Sequence, residues 1–226
     1  MLALVYKDLY QVRKSIMQIL AIWGFFMIIA VISSVNGKQF YTGSFVYVYG
    51  FITTYSIMER ILYNEDRYKG IYFMKILPLK KSMIVGNKFV TGLTLVILSC
   101  IISSLFSFLI YAISPQIQSF QDIIASVSVL FVFNLIYCGV SLGLFFSVGY
   151  AKSRQYTVII VMLFAMLTAL IPTFIEKPAV DGFLKSVLGL LNQPYTPFIF
   201  LLVGSLIYAA CWAASLRVFK RKSYIS

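Results

Sequence analysis

Charged residues in this chain sit in short intervals. Between them lie six uncharged runs: Ser15–Gly37, Gln39–Met58, Phe89–Gln121, Ile123–Ala151, Gln155–Ile175 and Ser186–Leu216. A helix crossing a bilayer needs about 20 consecutive, mostly apolar residues, and every run reaches that length. Inside lipid the backbone must satisfy its own hydrogen bonds, so such runs are read as helices. The composition agrees, with 61% hydrophobic and 12% charged residues, against roughly 25% charge in soluble domains. The expected fold class is an all-α integral membrane protein with six transmembrane helices, forming a single domain over residues 1–226. The net charge of +12 does not point to nucleic acid, because the charges mark the ends of apolar runs and not a soluble face.

Taken in order, residues 1–14 place Leu2, Val5, Leu9 and Val12 at helical spacing, with Lys7, Asp8, Gln11 and Lys14 elsewhere around the helix. This reads as an amphipathic helix lying in the membrane interface, or else as an extension of the first span. No small-residue cleavage pattern follows it. The second run carries Tyr47, Thr54 and Tyr55, candidates for a cargo path, although lipid-facing or helix-packing aromatics are the plainer reading. Ser99, Ser103 and Ser107 form a four-residue ladder, suited to close helix packing or to a polar wall. Asn134 is the one amide in the middle of its run and needs a partner in lipid; it is a further cargo-path candidate. Gly139 and Gly143 form a Gly-x-x-x-Gly surface for another helix, within the chain or across a dimer. Lys152-Ser153-Arg154 is a short basic turn. Residues 176–196, with Leu184, Val187, Leu188 and Leu191 at helical spacing, read as a short outer re-entrant or interfacial helix before the last span.

Six spans put both termini on one side. That side holds sixteen of the nineteen Lys and Arg residues, leaving Lys38, Lys177 and Lys185 opposite. Basic residues stay cytoplasmic, so both termini are expected inside.

Several chemistries are missing. There is no histidine, which removes the usual general base and metal ligand. Cys100, Cys138 and Cys211 each lie in an apolar run without paired spacing, as buried inert thiols do. No Gly-x-x-x-x-Gly-Lys-Ser/Thr occurs, so no P-loop binds ATP on this chain. No charge is expected mid-span, where ion-coupled pumps keep one. The energy source is therefore expected on another chain, and an enzyme is not expected.

The longest charged interval is residues 64–88, NEDRYKGIYFMKILPLKKSMIVGNK. Asp66 to Leu77 are expected to form a short amphipathic helix, with Tyr68 and Tyr72 on one side and Ile71, Met74 and Leu77 on another. Pro78 should end it. A solvated positive-inside loop is the plain alternative. Leu77-Pro78-Leu79, Lys80-Lys81-Ser82-Met83-Ile84-Val85 and Lys88, preceded by Glu65, Asp66 and Gly70, resemble the first cytoplasmic loop of type-2 ATP-binding-cassette exporter permeases; Ile76 departs from that pattern. The resemblance implies a coupling helix docking on an ATPase through Asp66, Tyr68, Ile71, Tyr72, Phe73, Met74, Leu77 and Pro78, and an N-terminal elbow helix. It further implies two ATPase copies carrying ATP and Mg, a second copy of this permease, membrane lipid around it, and a bacterial cell membrane. In size, loop pattern and layout the chain is similar to permeases that export phenol-soluble modulins, which are amphipathic peptides. The absence of fixed charge in the runs suits amphipathic or hydrophobic cargo. Export of lipid-like drugs, or a non-transporting sensor or immunity subunit of the same fold, are the alternatives.

Overall fold

A computed structural model describes residues 2–35, 42–76, 79–113, 120–175 and 196–221. They form seven helices: α1 (Leu2–Val35), α2 (Thr42–Arg67), α3 (Gly70–Ile76), α4 (Lys81–Ile113), α5 (Phe120–Val148), α6 (Tyr150–Ile175) and α7 (Thr196–Arg221). All but α3 are long. Among the described residues, Lys81–Ala112, Ile123–Val148 and Phe198–Arg221 are long and apolar enough to cross a membrane by length and composition. The outer segment up to residue 195, Leu77 and Pro78 lie outside the described residues.

Two expected boundaries move. The amphipathic start and the first apolar run form one unbroken helix, α1, so no separate interfacial helix stands before it. No glycine or proline interrupts the chain before Gly24, and nothing else in that stretch stops a helix. Its 34 residues span about 50 Å, more than the ~30 Å hydrocarbon core, so one end projects beyond an apolar layer. The fourth apolar run breaks at Gly149, not at the basic turn after it. Gly149 takes φ +84°, a conformation open to glycine. Its N–H caps α5 by donating to the Phe145 carbonyl, and its own carbonyl accepts from Ser153 N–H in the first turn of α6.

Helix α5 is the centre, packed against α2, α4, α6 and α7, while α1 lies across α2 and α4. The shared core takes Ile57, Met58, Ile61 and Leu62 from α2, Val85, Phe89 and Leu95 from α4, and Leu130, Cys138, Leu142 and Phe145 from α5. Lipid is as apolar as leucine, so helices associate through close packing and buried polar contacts, not through water exclusion. Both appear here. The ladder Ser99, Ser103 and Ser107 is fully buried. Ser103 faces Gly50 of α2, and Ser99 Oγ accepts from Asn134 Nδ2 of α5 at 3.2 Å. The ladder therefore packs helices together.

The Gly-x-x-x-Gly surface is used inside the chain. Tyr208 of α7 nests between Gly139 and Gly92, and Ser215 faces Gly143. The Tyr208 hydroxyl donates to the Phe89 carbonyl at 2.5 Å, binding α7 to α4 across α5. A Cβ at Gly139 would stand 3.0 Å from the Tyr208 ring and 3.5 Å from its Cα. Gly139→Val should therefore push α7 off α5 and cost about 1–3 kcal/mol, the usual penalty of overpacking. The thermal midpoint of the protein in nanodiscs checks this, and an unchanged midpoint would contradict the packing described.

Candidate functional site

The most polar part of the interior is at the charged end of the bundle. Lys88 lies about two turns inside α4, and its side chain is only 1% exposed. An ammonium in such a place needs compensation, since an unpaired buried charge is very costly. Two helices supply it. Lys88 Nζ donates to Asp8 Oδ2 of α1 at 2.7 Å and to Glu65 Oε1 of α2 at 2.7 Å. Asp8 Oδ2 also accepts from Thr91 Oγ1 at 3.3 Å and Asn87 Nδ2 at 3.4 Å, both on α4. Lys7, half-exposed at the rim, reaches Glu65 Oε1 at 3.0 Å and Asp8 Oδ1 at 3.5 Å. Two carboxylates meet two ammonium groups, so the cluster is neutral as a whole.

Burial alone would push the Glu65 carboxyl up, but the charges of Lys88 and then Lys7 outweigh it and hold the carboxyl below its usual range. Burial alone would pull the Lys7 amine down, and Glu65 and Asp8 outweigh that, leaving it raised. The signs define a window. Stability from Glu65 is complete above the ordinary Glu value of about 4.3 and disappears as pH falls through the depressed folded value. Stability from Lys7 is complete below the ordinary Lys value of about 10.4 and disappears as pH rises through the raised one. Across the neutral range Glu65 and Lys7 stay charged and paired.

The cluster fixes α3. Asp66 and Arg67 belong to the end of α2, which shortens the expected Asp66–Leu77 helix to Gly70–Ile76. The chain reverses through Tyr68 and Lys69, where Lys69 takes φ 50°, a left-handed conformation uncommon for a side-chain-bearing residue. Glycine occupies the next position for a different reason. A Cβ at Gly70 would collide with the Glu65 carboxylate, so a larger residue there would have to displace that acid from Lys88 and Lys7. The carboxylate thus sits at the N-terminal end of α3, the end that favours negative charge.

Helix α3 has an inner and an outer side. Met74 is buried in the core, with Ile71 and then Leu79 packed partly against it. Phe73 is 66% exposed and Ile76 81% exposed, and Tyr68 is exposed in the turn before them. Asp66 and Lys69 are exposed too, and the Arg67 guanidinium lies 5.7 Å from the Tyr68 ring and 6.0 Å from that of Tyr63. The expected coupling residues thus separate. Asp66, Tyr68 and Phe73 face outward and Ile71 and Met74 anchor, while the side chain of Tyr72 lies outside the described residues, as do Leu77 and Pro78.

The expected cargo-path residues are dispersed. Thr54 is buried, its hydroxyl donating to the Gly50 carbonyl, and Asn134 is buried against Ser99. Tyr55 is partly exposed in a cluster with Phe51 and Tyr137, at ring distances of 6.2 and 5.6 Å. One turn further along α2, Glu59 is half-buried, with Tyr150 OH 3.5 Å away. Burial raises its carboxyl, partly offset by Arg154 and the Tyr150 hydrogen bond. The side chain of Tyr47 lies outside the described residues.

Sequence reasoning missed the ion cluster, having placed Asp8 on the polar side of a surface helix and Lys88 in a basic loop. A signal was present. Val5, Asp8, Val12 and Ser15 recur at spacings of three and four, and all are buried. An acid in phase with an apolar stripe is a buried acid, and a buried acid implies a cation from elsewhere.

Removing Lys88 alone would leave Asp8 and Glu65 with only the half-exposed Lys7 as counter-ion, and breaking a buried pair in this way typically costs about 3–5 kcal/mol. Lys88→Met should lower the thermal midpoint sharply, and adding Asp8→Asn with Glu65→Gln should restore part of the loss. Equal midpoints for the Lys88→Met and wild-type proteins would show the cluster to be energetically idle.

Residues 3–220 match the family model described as ABC-2 family transporter protein. No curated protein and no solved structure matches the chain.

Proposed function

The chain belongs to the ABC-2 transporter family, which makes it a multi-pass membrane subunit of a transporter and not the ATPase, and on that premise we propose that it is the permease of an exporter moving amphipathic or hydrophobic cargo, with α3 as the segment that receives the ATPase. The observation that carries this reading is the built platform. A solvated loop has no reason to hold Phe73 and Ile76 in the open while Glu65, Lys88 and Asp8 fix the helix that presents them. A protein groove receiving the outer side of α3 accounts for both. ATP and Mg would be bound by that partner, in two copies, facing two copies of this chain, with the N-terminal part of α1 in the position of the connecting elbow.

Asp8, Glu65 and Lys88 are buried charges, but they lie outside the uncharged runs, at the charged end of the bundle. They compensate one another within hydrogen-bonding distance, unlike a site left open for a coupling ion. The aromatic cluster of Tyr55, Phe51 and Tyr137, with Glu59 one turn away, supports amphipathic cargo, peptide foremost.

Interfaces concentrate binding in a few aromatic anchors, each worth about 2 kcal/mol or more on truncation. A Tyr68→Ala, Phe73→Ala double variant should therefore capture its ATPase at least about tenfold less well in a pull-down, and Tyr55→Ala should change peptide-stimulated more than basal ATP hydrolysis in proteoliposomes. Undiminished assembly and transport in the double variant would reduce α3 to an ordinary loop. Stimulation by small hydrophilic solutes and not by amphipathic peptides would reject the cargo.

The sixteen-to-three distribution of basic residues supports cytoplasmic termini with the ion cluster inside; a bacterial cell membrane is what the resemblance to exporter permeases implies. Cysteines placed at Lys38 and Ser223 should label from opposite faces; labelling of both from outside would reject six spans.

A further inference from the structure

Glu59 is the interior acid that the ion cluster does not use. It stands six residues before Glu65 on α2, which at about 100° per residue turns it roughly 120° away round the helix. It faces α6, where the Tyr150 hydroxyl lies 3.5 Å from its Oε2. Glu59 is half-buried and makes no ion pair among the described residues. Arg154, one turn beyond Tyr150 on α6, is exposed and offsets part of the carboxylate's charge without pairing with it. Burial raises the carboxyl, as it does where compensation is incomplete.

The acid interrupts an aromatic ladder. Phe51, Tyr55, Glu59 and Tyr63 recur at four-residue spacing on α2, which puts them along one face. Rings from two other helices meet that face. Tyr137 of α5 lies 5.3 Å from the Phe51 ring and 5.6 Å from the Tyr55 ring. Tyr150 of α6 lies 5.8 Å from the Tyr63 ring. The field of the one carboxylate reaches Tyr55, Tyr137 and Tyr150. The Tyr137 hydroxyl is buried without a hydrogen-bond partner, an open valence that interiors seldom leave. Tyr150 is also in the wall of a cavity of about 620 Å³ along α6, with Arg154 and Val158. The ladder thus has an apolar end at Phe51, a single negative charge at Glu59, and open space beside Tyr150.

We propose that Glu59, with Tyr55 and Tyr150, binds the ammonium group of cationic amphipathic cargo, a peptide lysine or an alkylamine, and that the rings towards Phe51 take its apolar part. The proposal rests on the reading of this chain as a permease for amphipathic cargo, and adds the sign of the charge. A carboxylate accepts charge-assisted hydrogen bonds from an ammonium, and tyrosine faces within about 6 Å attract a cation. An anionic or neutral amphiphile gains neither. A merely solvated glutamate needs no surrounding phenols, and a structural ion pair needs a cation that the described residues do not supply to Glu59.

The test is binding to the purified full-length chain in phosphatidylcholine nanodiscs, read by fluorescence anisotropy with empty nanodiscs subtracted. The probes are two labelled amphipathic peptides of equal length, one of Leu and Lys, the other of Leu and Glu. The Leu/Lys peptide should bind the wild-type chain roughly tenfold or more tightly than the Leu/Glu peptide. Glu59→Gln should remove that advantage and leave the Leu/Glu peptide no weaker. Arg154→Gln, at an exposed position, should act the other way and tighten the Leu/Lys peptide by up to about fivefold, a gain that misfolding cannot produce. Dodecylamine and dodecanol separate the two sources. Displacement of the Leu/Lys peptide by dodecylamine alone extends the site to alkylamines, and displacement by neither restricts it to peptides. Displacement by both would overturn the role of the charge. Equal affinity of the two peptides for the wild-type chain, or equal loss of both in Glu59→Gln, would overturn this proposal and leave the cargo reading standing. Failure of both peptides to bind above empty nanodiscs would overturn the two together.

Discussion

The Lys88 ammonium is the constraint on which the charged end of this molecule depends. It is placed within an apolar helix, where water cannot reach it, and α4 carries no acid to meet it. Its two carboxylates come from sequence positions some eighty residues and some twenty residues earlier. Three helices must therefore converge before the charge is compensated. A hydrophobic contact tolerates sliding, since one methyl group replaces another at little cost. An ammonium at 2.7 Å from two carboxylates does not, because a displacement of an ångström breaks a charge-assisted hydrogen bond. Net stabilisation from a buried pair is often small. What the cluster confers is a single arrangement of the ends of α1, α2 and α4.

The rest of the bundle is held by a different principle. Tyr208 between two glycines, Ser103 against Gly50, and Asn134 on Ser99 are close approaches between small or polar groups. They suit a solvent in which apolar surface has no preference for protein over lipid. Trp23 does the same for α1, its indole N–H donating to Thr53 Oγ1 at 2.7 Å. Towards the membrane interior, fit governs; towards the charged end, electrostatics governs.

Much of this was legible in the sequence, and the failures share a cause. Long uncharged runs identify helices because lipid leaves the backbone no other choice, and α5 begins and ends within three residues of its run. The serine ladder and the Gly-x-x-x-Gly surface announced close packing, but not which helix fills them, since period identifies a face and not its neighbour. The division between inward Met74 and Ile71 on α3 and exposed Tyr68 in the turn before it agrees with the expected spacing. Where reasoning by segment failed was at residues whose role is set by distant ones. Gly70 lies against the Glu65 carboxylate, Asp8 is buried against Lys88, and Lys69 takes φ 50° in the turn before Gly70. Boundaries at Gly149 and Lys69 shifted for the same kind of local reason, one backbone conformation outweighing hydropathy.

The consequence for a transporter lies in how α3 is attached. Only Tyr68 and Lys69 separate it from α2, and Gly70 presses on a carboxylate that α4 and α1 already hold. A load applied to Phe73 and Ile76 from outside therefore meets no slack loop in which to dissipate. Moving α3 relative to the bundle means moving Glu65, and moving Glu65 means either carrying Lys88 and Asp8 along or separating buried opposite charges. The second course costs several times the thermal energy. If the ATPase docks on the outer side of α3, as proposed, a displacement there would reach the ends of α1, α2 and α4 through this cluster.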